Sequence, residues 1–380
     1  MINILTIFGT RPEAIKLAPL VEELTKREEF NSQLCSTGQH LEMLEEALRI
    51  FELSVDHDLE LMEESQTLSG LTARVLTGID QVLTSLAPDL VVVQGDTTTA
   101  FVGALTGFYH QIPVGHVEAG LRSGDKSNPF PEEINRRLTD SLSDLYFAPT
   151  NQSKKNLLDE GFPNDLISVT GNTVIDALLR ITESINGGVM QPSFPVDPSP
   201  FDRGEKRLIL VTTHRRESLG GGIKEVCLAL KQLAGNFPDV EIVFPVHLNP
   251  RVQETVYDIL KDQERIHLIK PADYLTFVGL MEKSTLIITD SGGIQEEAPA
   301  LGVPVLVARE KTERPEAIEA GTAKLVGTDS ERIVEEAGKL LEDEACYREM
   351  ANTANPFGQG DASKKIANEI IKYFRGTDQS

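Results

Sequence analysis

The sequence predicts an α/β protein built from two doubly wound domains, and three observations carry that prediction. At 380 residues the chain is too long for one ordinary hydrophobic core. Its strand-like stretches are continuous apolar runs that alternate with stretches of helical periodicity, the pattern of parallel strands covered on both faces. The alternation stops once, in residues 187–206, which are rich in Pro, Gly, Ser and Asp, and then begins again.

In the first half, strands are expected at residues 2–8, 33–37, 90–94, 113–117, 145–148 and 167–169, with helices at 14–26, 41–50, 68–85 and 98–110. In the second half, strands are expected at 208–212, 241–246, 267–269, 286–289, 303–307 and 323–326. No close sequence repeat accompanies this echo. Gly171-Asn172 marks the change, so the first domain is set at residues 1–170 and the second at 171–355. Residues 356–380 carry Ile366, Ile370, Ile371 and Phe374 at helical spacing, and this tail is expected to pack back on the first domain. Open parallel sheets bind ligands beyond the carboxyl ends of their strands, so site residues are sought there, facing a cleft expected between the domains.

Composition narrows the function. The chain has 59 acidic against 36 basic residues and a formal charge of −23. That balance argues against nucleic acid or an anionic membrane as partner, since both need positive patches. No run of about 18 or more apolar residues occurs, and the N-terminal MINILTIFGTRPE lacks the basic region and cleavage site of a signal peptide. Cys35, Cys227 and Cys346 are an odd, scattered set, read as reduced and mostly buried thiols of a cytoplasmic protein. Without HExxH or CxxC no metal is expected, and without GxGxxG no NAD. The absence of GxSxG and Walker sequences argues against serine hydrolase and P-loop chemistry.

The richest stretch is HVEAGLRSGDKSNPFPEEINRR, residues 116–137. Glu118 should leave the end of a buried strand, and Glu132-Glu133 should open a helix carrying Arg136 and Arg137. These carboxylates either work in a cleft or pair with the arginines. Phe8-Gly9-Thr10-Arg11-Pro12-Glu13 joins the first strand to the first helix; its free N–H groups, with Arg11 and Lys16, suit an anion. They equally suit an ordinary turn with solvated bases. Asp290-Ser291-Gly292-Gly293 precedes Gln295-Glu296-Glu297 in a similar setting. Its glycines would let backbone N–H groups approach a phosphate, with Glu297 in reach of a sugar hydroxyl, or would simply cap and pack a helix. Two such turns facing each other fit a diphosphate better than either fits alone. Asp96 in Gln94-Gly95-Asp96-Thr97 can orient a base, bind a hydroxyl or cap the next helix. His214, in Thr213-His214-Arg215-Arg216-Glu217, can move protons near neutral pH or bind phosphate. His247 sits at the next strand end, where a hydrogen-bonded structural histidine is the commoner case.

Taken together, GTRPEAIKLAP, QGDTTTA, HVEAGLRSGD, PFPEEINRRLTD, GNTVIDAL, THRRES, PVHLNP, TDSGGIQEEAP and ERPEAIEAGT closely resemble the non-hydrolysing UDP-N-acetylglucosamine 2-epimerases, in the family's order and spacing from residue 9 to about 328. The resemblance implies two Rossmann-like domains facing a cleft, a glycosyltransferase-B-like fold. It implies reversible conversion of UDP-GlcNAc to UDP-ManNAc by elimination of UDP to 2-acetamidoglucal and re-addition, with no NAD and with UDP held throughout. Asp96, Glu118, Glu132 and His214 match the family's catalytic groups; Arg136 is placed among the substrate-binding residues, and Arg136 and Arg137 are expected as supports of Glu118 and Glu132. Arg11 and Lys16 match its diphosphate-binding or orienting bases. Ser291, Gly292, Gly293, Glu297, Phe277 and Arg314 match its nucleotide contacts. Gln39, His40, Arg74, Arg215 and His247 match parts of an activating second UDP-GlcNAc site, although Leu41 stands where a basic residue is usual. The family's assembly is a homodimer, and its product supplies ManNAc-derived sugars for surface polysaccharide or glycan synthesis.

Other functions use the same architecture. A nucleotide-sugar glycosyltransferase would need an acceptor, a hydrolysing epimerase would release free ManNAc and UDP, and a silent sensor would bind UDP-GlcNAc and leave it unchanged.

Overall fold

A computed structural model describes residues 1–38, 41–61, 67–213 and 221–377, without the side chains of residues 41–43 and 377. The chain forms two compact units, one of Met1–Ala177 with Phe357–Ser380 and the other of Leu178–Pro356. The first crossing falls at Ala177, inside the helix Thr173–Asn186, rather than before that helix at Gly171.

In the first unit the parallel strands are β1 (Ile2–Phe8), β2 (Phe30–Ser36), β3 (His57–Asp58), β4 (Leu90–Gln94), β5 (Val114–Val117), β6 (Leu145–Ala148) and β7 (Ile167–Val169). They lie in the order β3-β2-β1-β4-β5-β6-β7. In the second unit β8 (Arg207–Thr212), β9 (Val240–Pro245), β10 (Ile266–Ile269), β11 (Ser284–Thr289), β12 (Val305–Val307) and β13 (Ala323–Leu325) are ordered β10-β9-β8-β11-β12-β13. Each sheet therefore reverses its progression beside its first strand, between β1 and β4 and between β8 and β11. Such switch points leave a crevice at the strands' carboxyl ends.

The apolar runs become strands because both faces are covered. All of β4 and β5 is buried. Leu71, Val75, Ile79 and Val82, spaced for one helical face, pack from the helix Leu68–Leu86 onto Leu5, Ile7, Val91 and Val93. In the second unit Val226, Leu230 and Leu233 of the helix Gly222–Asn236 pack with Ile242, Phe244 and Val256. The tail helix Ala362–Thr377 belongs to the first unit, where it lies against the helix Arg11–Thr25. Ile366 and Ile370 are buried, and Asp176 accepts from the amides of Ala362 and Ser363 at 3.2 and 2.8 Å.

Strand β3 lies outside the expected set. It has two polar residues and pairs only with Cys35 and Ser36, so no apolar run announces it. Residues 187–206 are largely without regular structure apart from the turn Ser199–Asp202, and Pro192 and Phe194 lie against Gly279. Cys35 and Cys227 are buried, whereas Cys346 is exposed. Among the described residues no helix is long and apolar enough to cross a membrane.

Candidate active site

At the switch point of the first unit, β1 is followed by Gly9, whose reason for being glycine is space. A Cβ there would lie 2.4 Å from the hydroxyls of both Thr37 and Thr99, which pair with each other at 3.0 Å. Gly9→Ala is expected to lower stability by about 1–3 kcal/mol through overpacking, read as a lower urea midpoint; an unchanged midpoint would contradict this close approach. Beyond Gly9, the Glu13 carboxylate accepts from the amides of Gly9 and Thr10 at 3.0 and 2.7 Å and from the Thr97 hydroxyl at 2.6 Å. It thereby ties the turn after β1 to the turn after β4. Burial pushes the Glu13 carboxyl up, against the opposing pull of these donors. Arg11 opens the helix Arg11–Thr25 with a guanidinium nitrogen 3.8 Å from Glu46.

Glu118 follows β5 with φ 71°, a left-handed conformation that costs a non-glycine residue energy of order 1–3 kcal/mol. Its amide and that of Ala119 donate to the Phe147 carbonyl at 3.0 and 3.2 Å, which fixes this turn on β6. The carboxylate is buried and surrounded by donors. The Lys16 ammonium reaches its two oxygens at 2.8 and 2.7 Å, Asn172 Nδ2 donates at 3.1 Å, and the Gln94 amide donates to Oε2. Lys16 is thus an orienting base for Glu118. Gln94 and Asn172 are hydrogen-bond partners of Glu118 that the sequence reading passed over. A polar residue closing the wholly apolar β4 was the available signal for Gln94.

Asp96 accepts from Arg136, at 3.1 Å from Nε and also from Nη2, and its carbonyl accepts from Asn135 Nδ2 at 3.0 Å. Arg136 also donates to Glu133 at 3.1 Å, and Glu133 accepts from the Ser123 amide at 2.9 Å. Arg136 therefore supports Asp96 and Glu133 rather than Glu118 and Glu132. Arg137 is half exposed and lies 3.6 Å from Glu160. Charge spacing could not separate Glu132 from Glu133; the helix Glu132–Leu142 buries Glu133 and leaves Glu132 partly exposed. One oxygen of Glu132 is buried with no hydrogen-bond partner among the described residues.

Beneath this cluster runs a fully buried pair. His116 Nδ1 lies 2.6 Å from Asp140 and Nε2 lies 2.8 Å from the Gly95 carbonyl. Both ring nitrogens face acceptors. Asp140 also meets Arg122 at 2.7 Å. Burial would raise the Asp140 carboxyl, but His116 and Arg122 outweigh it and hold it below its ordinary range. A depressed carboxylate adds stability that is complete above its unfolded value and is lost as pH falls through the folded one. The stability gap between wild type and Asp140→Asn should therefore be flat from about pH 7 to 5 and shrink below about pH 4. Urea unfolding across that range checks it, and a gap that grows on acidification would refute it.

At the switch point of the second unit the Thr212 and Thr289 hydroxyls meet at 2.6 Å, and Thr289 accepts from the Ser291 amide at 3.0 Å. This seats the turn that opens the helix Gly292–Glu297, whose cap residue Ser291 makes no side-chain cap bond. The Glu297 carboxylate lies over Gly293, where a Cβ would sit 3.4 Å from it, and accepts from the Tyr274 hydroxyl at 2.9 Å. Tyr274 begins the helix Tyr274–Lys283 that also carries Phe277, and it is a third residue the sequence reading missed. Arg314 joins this group through Glu296, to which its guanidinium donates, while its amide donates to Thr312 at 3.0 Å.

The remaining expected residues divide. Arg74 donates to the Leu61 carbonyl at 3.3 Å in the first unit; exposed His247 accepts from the Asn249 amide at 3.1 Å in the second. Gln39, His40, His214 and Arg215 lie outside the described residues.

Two doubly wound parallel-sheet units, one with buried acids and the other with a glycine turn at its switch point, define an α/β protein of the glycosyltransferase-B-like class. Residues 22–371 match the family described as UDP-N-acetylglucosamine 2-epimerase. The chain is 51% identical to the UDP-N-acetylglucosamine 2-epimerase of Yersinia pestis, over 96% of this chain and 97% of that one. It is also 51% identical to that of Salmonella typhimurium, over 98% and 99%. The crystal structure of UDP-GlcNAc 2-epimerase from Neisseria meningitidis bound to UDP-GlcNAc superposes with a TM-score of 0.88 at 48% identity, covering 97% of this chain and 100% of that one. The chain belongs to the UDP-N-acetylglucosamine 2-epimerase family, whose members are isomerases.

Proposed function

We propose that this enzyme interconverts UDP-GlcNAc and UDP-ManNAc by eliminating and re-adding UDP, without hydrolysing it. A base takes the C2 proton, the C2–H electron pair forms the C1=C2 double bond, and the C1–O bond breaks with its electrons leaving on UDP. The product pair is 2-acetamidoglucal and UDP. Delivery of a proton to C2 from the opposite face, with return of UDP oxygen to C1, gives the epimer. Nothing is oxidised or reduced overall, so the route calls for no NAD.

The observation that carries this reading is Glu118, a buried carboxylate in a left-handed turn clasped by Lys16, Gln94 and Asn172. Such enclosure fixes direction, which positioned proton transfer requires and which is worth on the order of 10²–10⁴ in rate. Asp96 and Glu132, with His214, are the other proton-handling groups, since removal on one face and return on the other needs more than one group or one that is repositioned. Arg11 and Lys16 meet the diphosphate charge. Ser291, Gly292, Gly293, Glu297, Phe277 and Arg314 hold the nucleotide, with Tyr274 fixing Glu297. Family membership supports a homodimer, a cytoplasmic location, activation by a second UDP-GlcNAc at Gln39, His40, Arg74, Arg215 and His247, and supply of ManNAc-derived sugars to polysaccharide.

Product analysis after incubation with UDP-GlcNAc alone tests the proposal. UDP-ManNAc as the new species is expected. Free ManNAc with UDP would indicate a hydrolysing enzyme, and no change until an acceptor is added would indicate a transferase.

A further inference from the structure

The acids assigned to proton handling stand on three segments: the turn after β4 with Asp96, the turn directly after β5 with Glu118, and the helix Glu132–Leu142 with Glu132. One buried side chain joins all three. His116 lies on β5 two residues before Glu118. Its Nε2 is 2.8 Å from the carbonyl of Gly95, the residue before Asp96, and its Nδ1 is 2.6 Å from Asp140, two turns along the helix from Glu132. The ring is wholly buried. Asp140 extends the link to the loop that follows Glu118, since its second oxygen accepts from the Gly120 amide at 3.3 Å and meets Arg122 at 2.7 Å.

We infer that His116 is a positioning residue for the epimerisation, holding Asp96, Glu118 and Glu132 at fixed separations from beneath. The inference rests on the reading of those acids given above. An ordinary buried histidine needs only two partners of any origin. Here each partner belongs to a segment that carries an assigned acid, and the ring's own strand runs directly into the third. Proton removal and return at one carbon depend on where the carboxylates stand relative to each other, and a misplacement of about 1 Å costs on the order of 10² in rate.

Two variants cut the link at different ends. His116→Asn keeps a donor toward Asp140 and loses the one toward Gly95; His116→Gln keeps the donor toward Gly95 and loses the one toward Asp140. We expect kcat to fall about 10- to 100-fold in His116→Asn and less in His116→Gln. KM for UDP-GlcNAc and Kd for UDP should stay within about threefold, because transition-state placement is lost rather than binding. Folded variants that both turn over within about twofold of wild type would overturn the inference. So would a fall in kcat that only follows the folded fraction. If neither variant folds, Asp140→Asn read in the same way decides it, with lowered kcat at unchanged KM supporting the link and unchanged kcat overturning it. Wild type that leaves UDP-GlcNAc unaltered overturns the reading of the acids as well, whereas active wild type with fast His116 variants overturns this inference alone.

Discussion

Glu118→Gln is expected to keep the fold and the affinity for UDP while lowering turnover by about 10²–10⁴-fold. The substitution preserves shape in the left-handed turn but removes the group that exchanges a proton. It also places an amide NH₂ among donors from Lys16, Gln94 and Asn172. Gln94 or Asn172 can turn its amide oxygen toward the new NH₂, so the accompanying loss of stability should be about 1–3 kcal/mol rather than unfolding. Steady-state kinetics beside UDP titration calorimetry separates the two effects. Near wild-type turnover would remove Glu118 from the mechanism.

Lys16→Met should cost more stability than Glu118→Gln, although the two side chains form one pair. The Glu118 side chain is 4% exposed and that of Lys16 is 20% exposed. Losing the ammonium strands a buried carboxylate, and breaking a buried pair in this way costs about 3–5 kcal/mol. Two amide donors and the partial exposure of Lys16 place the expected loss near the lower end. Adding Glu118→Gln removes the stranded charge, so the double variant should be more stable than Lys16→Met alone, yet no more active than Glu118→Gln. Thermal and urea unfolding of the four proteins gives the coupling directly. Losses that simply add would show that the pair is not a unit.

The strands were legible in the sequence because burial on both faces leaves continuous apolar runs, as in Leu90–Gln94 and Leu145–Ala148. Strand β3 was not, since two polar residues on a sheet edge carry no such run. The place of Glu118 was also legible, at the end of an apolar run before two glycines. Its partners were not. Gln94 and Asn172 lie 24 and 54 residues away in sequence, and only the parallel order of β4, β5, β6 and β7 brings distant strand ends together. For the same reason Arg136 was assigned to the wrong acids. Helical spacing brings it to Glu133, but its bond to Asp96 depends on how the helix Glu132–Leu142 packs beside the turn after β4. In the second unit the Ser291–Gly293 turn announced itself through its glycines, whereas Tyr274 gave no local sign that its hydroxyl meets Glu297.

The central claim is that C2 loses and regains a proton while UDP leaves and returns. Incubation of the enzyme with UDP-GlcNAc in D₂O, followed by NMR and mass analysis of the recovered nucleotide sugars, tests it most directly. The account predicts UDP-ManNAc carrying deuterium at C2. UDP-ManNAc formed with protium retained at C2 would contradict it.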